Sequence, residues 1–254
     1  MTMKFAFSRP TGTDGERDRL LSGYQAAGYQ GLQLKSGQYE PYLREPERFL
    51  AKWGHLPGAG SALITGGRLD EEGLQELRER FRFGQAIGSE RIIFCHGVSR
   101  RAVEAEDIRT FAEVLSNMGQ EAQEQYGIKL SLHHHYDQPV MYREDFDLFF
   151  DRAREGTVGL TIDTAHLIKS GITDCAELIR SFKSVIDNYH MKDFAEGDWQ
   201  ILGRGTIPFQ PIFEAIQDTG YGGWVSADEE SGGEIEEGMA ECLAFLKRGF
   251  GLHT

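Results

Sequence analysis

The sequence predicts an α/β fold, a closed (β/α)8 TIM barrel formed by a single domain over residues 1–254. Short strand-like runs alternate with longer amphipathic stretches, which is typical of βα units that build a parallel sheet. The chain of 254 residues is long enough for eight such units in one barrel. Residues 8–13, after the first predicted strand, lack the glycine-rich turn expected of an open dinucleotide-binding sheet.

The predicted strands are short, and there are eight of them. They cover residues 4–8, 31–35, 61–65, 91–96, 128–133, 158–163, 185–191 and 223–227. Between them, apolar residues recur at steps of three or four, as on the buried face of a helix; examples are Leu74, Leu77 and Phe81, then Phe111, Val114, Leu115 and Met118, then Phe146, Phe149 and Phe150. Three helix-to-strand junctions carry a glycine where a left-handed residue ends a helix, namely Gly28, Gly88 and Gly220.

Composition excludes several classes of partner. The chain has 27 Lys and Arg against 40 Asp and Glu, so its formal net charge is −13, which argues against nucleic acid and against an anionic membrane surface. No apolar run approaches the roughly 20 residues that span a bilayer, and the N-terminal apolar stretch is too short for a signal peptide. Cys95, Cys175 and Cys242 lack metal-type spacing and are expected to be free thiols. We therefore expect a cytoplasmic protein.

Ionisable side chains concentrate at the predicted strand ends. In a barrel the catalytic groups lie at the carboxyl ends of the strands. Six of the 8 histidines fall there, and only His55 and His253 lie elsewhere. The segments after strands four to eight contribute His96; His133, His134 and His135; Asp163 and His166; His190 and Lys192; and Asp228 and Glu230. Imidazoles and carboxylates that converge on one rim predict a divalent metal site.

Alternation along each strand assigns side chains to faces, because residues two apart point the same way. His133 and His135 therefore share a face, and His134 points elsewhere. The small or polar residues suit the barrel interior, and their apolar neighbours suit the helix layer; the first set is Ser131, Thr161, Asn188 and Ser226, the second Leu130, Leu132, Ile162 and Val225. Other interpretations remain: Asp163 could cap the next helix, and residues 228–237 could form a solvated acidic loop.

Four motifs in order carry a family resemblance. Ile-Asp-Thr-Ala-His at 162–166 resembles a D-T-x-H motif after strand six, and His-Met-Lys-Asp at 190–193 resembles H-x-K-D after strand seven. Residues 202–207 resemble a G-x-G-x-I loop, and residues 221–228 resemble a Y-x-G-W-hydrophobic-E eighth strand. Together they resemble the xylose-isomerase-like TIM-barrel superfamily of sugar-phosphate isomerases and epimerases, over nearly the whole chain.

The resemblance implies one divalent metal ion held by a Glu, an Asp, a His and a Glu after strands five to eight. Asp163 and His190 match this pattern. His133 stands in place of the first Glu, and Asp228, one methylene shorter, in place of the second. Two imidazoles and two carboxylates suit manganese, cobalt, iron or zinc better than calcium.

The resemblance leaves the reaction open. In the ketose 3-epimerases of the superfamily the two Glu ligands are also the acid/base pair, and this chain lacks both. The run His133 to His135 resembles the inosose dehydratase branch, and Glu230 matches a second acidic position there. Isomerase or epimerase chemistry is expected because it is common in the superfamily; an inosose-type dehydratase (lyase) is the alternative, and a non-catalytic sugar-binding barrel is a third. Endonuclease IV relatives need a D-x-H pair that residues 197–200 lack.

The expected substrate is a small polyhydroxylated keto compound, a ketose, a sugar phosphate or a keto-polyol. Candidate catalytic residues are Glu230 and His135 as acid/base groups, with His166 and Lys192 orienting substrate hydroxyls. Candidate substrate contacts are His96, Trp199 and Arg204. Whether a phosphate is present stays open, with Arg9, Lys35, Arg100 and Arg204 as candidate contacts. Barrels of this size often assemble, so a homo-oligomer is compatible with the sequence.

Overall fold

A computed structural model describes residues 3–252 and shows a closed eight-stranded parallel barrel. Its strands are β1 Lys4–Ser8, β2 Gly31–Leu34, β3 Ala62–Gly67, β4 Arg91–His96, β5 Lys129–His133, β6 Val158–Asp163, β7 Ile186–Met191 and β10 Trp224–Asp228. Around the barrel they run in the order β1, β10, β7, β6, β5, β4, β3, β2. A separate antiparallel hairpin pairs β8 Asp193–Ala195 with β9 Asp198–Gln200. The predicted fold class is confirmed.

Helices link successive strands. Their bounds are α1 Asp14–Gly23, α2 Ser36–Tyr39, α3 Pro46–Trp53, α4 Glu71–Ile87, α5 Ala105–Glu121, α6 Arg143–Phe150, α7 Thr164–Lys169, α8 Cys175–Ser181, α9 Phe209–Asp218 and α10 Ile235–Gly249. The glycines predicted at three junctions are left-handed, with φ of 99° at Gly28, 77° at Gly88 and 68° at Gly220. Each of these glycines therefore reverses the chain from a helix into the next strand, as predicted.

The two faces of the strands follow the predicted alternation. Ser131 and Thr161 are fully buried inside the barrel, where their hydroxyl oxygens lie 2.7 Å apart. Leu130, Leu132 and Ile162 belong instead to the large apolar core that the strands share with the helices. The interior is thus partly polar, and Ser131 and Thr161 satisfy each other across neighbouring strands.

Strand register brings the polar strand ends to one rim. His133 on β5 pairs with Thr161 on β6, and Asp163 on β6 pairs with His190 on β7. Ser226 on β10 pairs in turn with His190. Since all eight strands are parallel, their carboxyl ends meet at this rim, where TIM-barrel sites lie.

The hairpin β8–β9 and the loop after it are held by one buried carboxylate. Asp193 Oδ2 accepts hydrogen bonds from the backbone N–H groups of Gly203 and Gly205, both at 2.9 Å. Its Oδ1 accepts from the N–H of Phe194 at 2.8 Å. A Cβ on Gly205 would lie 2.1 Å from Asp193 Oδ1, so glycine is required at this close approach. The Asp of the 190–193 motif therefore fixes the 202–207 loop.

We expect Asp193→Ala to lower the free energy of unfolding by about 2 kcal/mol, because it removes the shared acceptor of the backbone N–H groups of Phe194, Gly203 and Gly205. Urea unfolding followed by circular dichroism measures the change. Asp151→Ala, at an exposed position after α6, is the control and should stay within about 0.5 kcal/mol of wild type. Equal stability of the two variants would show that the loop does not depend on Asp193.

The cysteines and the lengths of the helices can be compared with the expectations from the sequence. Cys95, Cys175 and Cys242 are all free, as expected. Within residues 3–252, no helix combines the length and the apolar composition needed to cross a bilayer.

Candidate active site

Three residues converge at the rim where β5, β6 and β7 end. His133, Asp163 and His190 each offer a ligand atom, and these atoms lie within 4.8 Å of one another. All three side chains are buried, with exposed fractions of 4%, 0% and 0%. The residues predicted on strands five, six and seven are thus brought together as a candidate metal centre.

The free atoms of this cluster fit a metal ion. Asp163 Oδ1 caps α7 by accepting from the N–H groups of Ala165 at 3.0 Å and His166 at 2.9 Å. Asp163 Oδ2, His133 Nδ1 and His190 Nδ1 are buried and lack a hydrogen-bond partner among the described residues. Buried polar atoms are costly when unpaired, so an unpaired atom on each of the three clustered residues fits a bound metal ion. The other ring nitrogen of His133, Nε2, lies 3.6 Å from Asp163 Oδ2. Asp163 is both a helix cap and a candidate ligand.

The electrostatic environment favours the metal-binding protonation state of two of the three residues, His190 and Asp163. Burial lowers the pKa of His190 to about 3, so its imidazole is neutral and keeps a lone pair. Burial favours the neutral form of Asp163, but His166, His133 and Lys192 outweigh it and hold the pKa of that carboxyl well below its usual value. Burial also disfavours charge on His133, yet Cys95 and Asp163 raise its pKa to about 10. A metal ion at His133 therefore has to displace a proton.

His134 supports the cluster from behind. Its Nε2 accepts a hydrogen bond from the backbone N–H of Asp163 at 2.9 Å, and its ring packs 5.2 Å from that of Phe146. Burial and the neighbouring charge of His133 lower the pKa of His134 to about 3. The middle histidine of the run is therefore a neutral acceptor that fixes the end of β6.

Next to the metal cluster lies a second group, here called the lysine–carboxylate cluster, formed by Lys35, Lys192, Asp228 and Glu230. Lys35 Nζ lies 2.7 Å from Asp228 Oδ1 and 2.9 Å from Glu230 Oε1. Lys192 Nζ lies 3.3 Å from Asp228 Oδ2 and 2.5 Å from Glu230 Oε2. Asp228 is thus held between two ammonium groups, outside the three-residue metal cluster.

Asp228 and both lysines of the lysine–carboxylate cluster keep their charges. Burial alone would raise the pKa of Asp228, but Lys35 and Lys192 hold it far below the usual range. Burial alone would lower the pKa values of both lysines, but the carboxylates raise them, with Asp228 contributing most. Both lysines are therefore cations at neutral pH and cannot act as nucleophiles.

The other predicted catalytic residues lie beside these clusters. The rings of His135 and His166 are 3.6 Å apart between centroids, and His166 lies 5.7 Å from His133. Burial lowers the pKa of both His135 and His166. Lys192 Nζ lies 4.3 Å from the ring of Trp199, whose edge contacts His166 at 5.2 Å between centroids. Glu230, His135, His166, Lys192 and Trp199 thus share the barrel mouth.

Two predicted substrate contacts lie apart from the clusters. His96 borders a cleft of about 370 Å³ beside α5, where its ring packs 4.6 Å from that of Phe111. Arg204 is half exposed, and its guanidinium contacts Glu237 at 2.7 Å and Glu241 at 2.6 Å. Contact of either residue with a substrate stays a prediction.

The candidate phosphate contacts already have carboxylate partners. Arg9 pairs with Glu229 at 2.9 Å, and Arg100 pairs with Asp145 at 2.9 Å. Lys35 and Arg204 are bound as described above. A phosphate bound by any of these four cations would have to share it with a carboxylate, and phosphate contact stays a prediction.

Two neighbours of the clusters were not predicted as site residues. Gln33 is 1% exposed and lies at the end of β2, where its Oε1 is 2.8 Å from His190 Nε2. Lys35 was considered only as a phosphate contact. The sequence feature that could have identified both residues is their position near the end of the second predicted strand, which lies opposite the strands that carry the histidines.

A parallel barrel with buried histidines and carboxylates at its carboxyl rim defines a class, the TIM barrels with a candidate metal centre at the mouth. The sequence matches a family model described as a xylose isomerase-like TIM barrel over residues 25–249. The chain belongs to this family.

Individual relatives add detail. An inosose dehydratase from Clostridium perfringens is 30% identical over 144 residues, which are 49% of this chain and 48% of the relative. The match thus spans about half the length of that relative. The structure of an L-ribulose 3-epimerase has a TM-score of 0.81 at 17% identity, covering 99% of this chain and 95% of that one. An IolI protein solved with a zinc atom has a TM-score of 0.76 at 18% identity, covering 98% of each chain. At these identities the two structures show the shared fold.

Proposed function

We propose that this chain is a divalent-metal-dependent enzyme that removes a proton next to the carbonyl of an unphosphorylated keto-polyol and completes the reaction by loss of water. The observation that carries the proposal is the cluster of unpartnered ligand atoms on His133, Asp163 and His190. A divalent ion bound there supplies Lewis-acid polarisation of a carbonyl oxygen. Manganese, cobalt, iron and zinc all suit an N, N, O donor set.

Charge at the mouth supports this chemistry. Three carboxylates, on Asp163, Asp228 and Glu230, face the ammonium groups of Lys35 and Lys192 and the imidazolium of His133. The mouth is therefore neutral without a metal. A divalent ion held there in place of the His133 proton would leave one net positive charge, which would stabilise negative charge on a carbonyl oxygen.

Glu230 is the proposed base. Its carboxylate is a quarter exposed, whereas Asp228 beside it is almost fully buried, so Glu230 is the acid of the lysine–carboxylate cluster that a substrate can reach. Lys35 and Lys192 hold both of its oxygens in place. Fixed orientation of this kind is what general base catalysis requires.

The proposed elimination balances within the site. Glu230 takes the α-proton, the electrons of the C–H bond form a carbon–carbon double bond, and the C–O bond at the neighbouring carbon breaks. The proton on Glu230 passes to the leaving hydroxide, so the substrate loses one water. His166, Lys192 and Trp199 line the same space and orient hydroxyl groups of the substrate.

Two considerations favour elimination over epimerisation. An epimerase needs a second acid/base group on the opposite face of the carbon, and the Glu that the family pattern places at the fifth strand is replaced here by His133, a metal ligand in this proposal. The curated relatives are named inosose dehydratases. Reprotonation of the same carbon gives an isomer or epimer, which the family pattern favours and which remains the second candidate.

The test incubates the protein with Mn²⁺, Co²⁺ or Zn²⁺ and a panel of inososes, ketoses and ketose phosphates in heavy water. Proton NMR and mass spectrometry follow the substrates. Metal-dependent α-deuterium exchange with loss of water supports the proposal, and exchange without loss of water identifies an isomerase or epimerase. Conversion with the α-hydrogen fully retained indicates a hydride shift and contradicts the base. No metal-dependent exchange at all favours a non-catalytic sugar-binding barrel.

A further inference from the structure

A buried amide pair joins β2 and β7 directly beneath the metal cluster. Gln33 Nε2 donates to Asn188 Oδ1 at 2.7 Å, and Asn188 Nδ2 donates to Gln33 Oε1 at 3.2 Å. Both residues are buried, with exposed fractions of 1% and 0%. The two amides therefore bind each other across the barrel, and the Oε1 end of Gln33 is the end that reaches His190.

The end that points toward the rim is an acceptor. Gln33 Oε1 lies 2.8 Å from His190 Nε2, and a carbonyl oxygen can only accept a hydrogen bond. The proton of the neutral His190 ring is therefore on Nε2. His190 Nδ1, which lacks a partner among residues 3–252, keeps the lone pair.

We infer that Gln33 is a positioning residue that sets the tautomer of His190 and so presents Nδ1 to the metal ion. The inference rests on the proposed metal site and adds a residue to it from a strand on the far side of the barrel. An acceptor behind a metal-bound histidine holds the ring orientation and raises the basicity of the ligating nitrogen.

Two substitutions separate this role from simple packing. Gln33→Met keeps the approximate length and apolar volume of the side chain and removes the acceptor. Gln33→Glu keeps the acceptor and adds a buried negative charge. If Gln33 only fills space, Gln33→Glu should weaken metal binding more than Gln33→Met does, because a buried charge without a role destabilises the site. If Gln33 positions His190, Gln33→Met is the more harmful change for metal binding.

Calorimetric titration with Mn²⁺ and Zn²⁺ measures the metal affinity of each variant. We expect Gln33→Met to weaken binding by about 10–100-fold and Gln33→Glu to bind at least as tightly as wild type. Thr161→Val is the control, because it removes the buried Ser131–Thr161 hydrogen bond from the same barrel interior and should leave metal affinity unchanged. Wild-type affinity in Gln33→Met, or weaker binding by Gln33→Glu than by Gln33→Met, overturns the inference.

A second measurement does not need the metal. Nitrogen-15 NMR of histidine-labelled, metal-free protein distinguishes the two ring nitrogens, with the His190 signal identified by its loss in His190→Gln. We expect the proton on Nε2 in wild type and a redistribution toward Nδ1 in Gln33→Met; a proton on Nδ1 in wild type overturns the inference. If wild type binds neither ion, the proposed function fails, and the tautomer still decides the role of Gln33.

Discussion

Asp163→Asn is expected to abolish detectable divalent metal binding and to lower turnover by at least about 1,000-fold. Metal polarisation of a carbonyl is worth several kcal/mol in the transition state, and each 1.36 kcal/mol is tenfold in rate. Asn keeps an oxygen that can cap α7, as Asp163 Oδ1 does, so the fold is preserved while the charged ligand is lost. Calorimetric metal titration and turnover of the identified substrate measure the two effects.

Two further variants bracket this result. His190→Ala should reproduce the loss of metal and activity, since it removes a ligand from a different strand. Asp151→Ala removes an exposed carboxylate after α6 and should match wild type in both measurements. Full metal affinity in Asp163→Asn would mean that the ion binds elsewhere or that Asp163 serves only as the helix cap.

Glu230→Gln is expected to retain the metal and to slow α-deuterium exchange by about 100- to 10,000-fold, the usual contribution of a general base. Glutamine keeps the shape of the side chain and a carbonyl oxygen for one lysine, but cannot take the proton. Mass spectrometry of the substrate in heavy water gives the exchange rate, and calorimetry confirms that metal binding is intact.

The control is Glu234→Gln, which removes an exposed carboxylate that pairs with Arg19 near the start of α10. It should exchange at the wild-type rate. If Glu230→Gln also keeps the wild-type rate, the base lies elsewhere, and His135 beside His166 is the next residue to replace.

The barrel could be predicted from the sequence because each strand is bounded by clear changes of pattern. The predicted and observed bounds of all eight barrel strands agree within two residues, and strands 4–8, 91–96 and 158–163 agree at both ends. The hairpin β8–β9 was not predicted. Its strands have three residues each, which is too short for an alternating pattern to be recognised in the sequence. The turn between them has left-handed backbone at Glu196 and Gly197.

The metal cluster was predictable for a related reason. Residues at the ends of successive parallel strands must meet at one rim, so His133, Asp163 and His190 could be placed together without coordinates. Asp228 was placed at the same rim by the same reasoning, but its ion-pair partners could not be predicted. Its partners are ammonium groups on flexible side chains, and Lys35 directly follows β2, far away in sequence.

Gln33 was missed because alternation shows which residues share a face but not which face is inside. In residues 31–35 the polar side chains of Gln33 and Lys35 resemble a solvent-facing edge. In a closed barrel that face is the interior, and Gln33 is buried against Asn188 from the other side. Contacts across the barrel form only when the sheet closes, and the sequence of one strand does not show which strand will lie opposite it.

The most direct test of the central claim is the position of the metal ion itself. A crystal of the protein grown with Mn²⁺ or Zn²⁺, measured at the absorption edge of that metal, locates the ion by anomalous scattering. We predict one site per chain, with Asp163 Oδ2, His190 Nδ1 and a nitrogen of His133 at about 2.0–2.2 Å. An ion bound without these three residues, or no ion at the rim at saturating metal, contradicts the account.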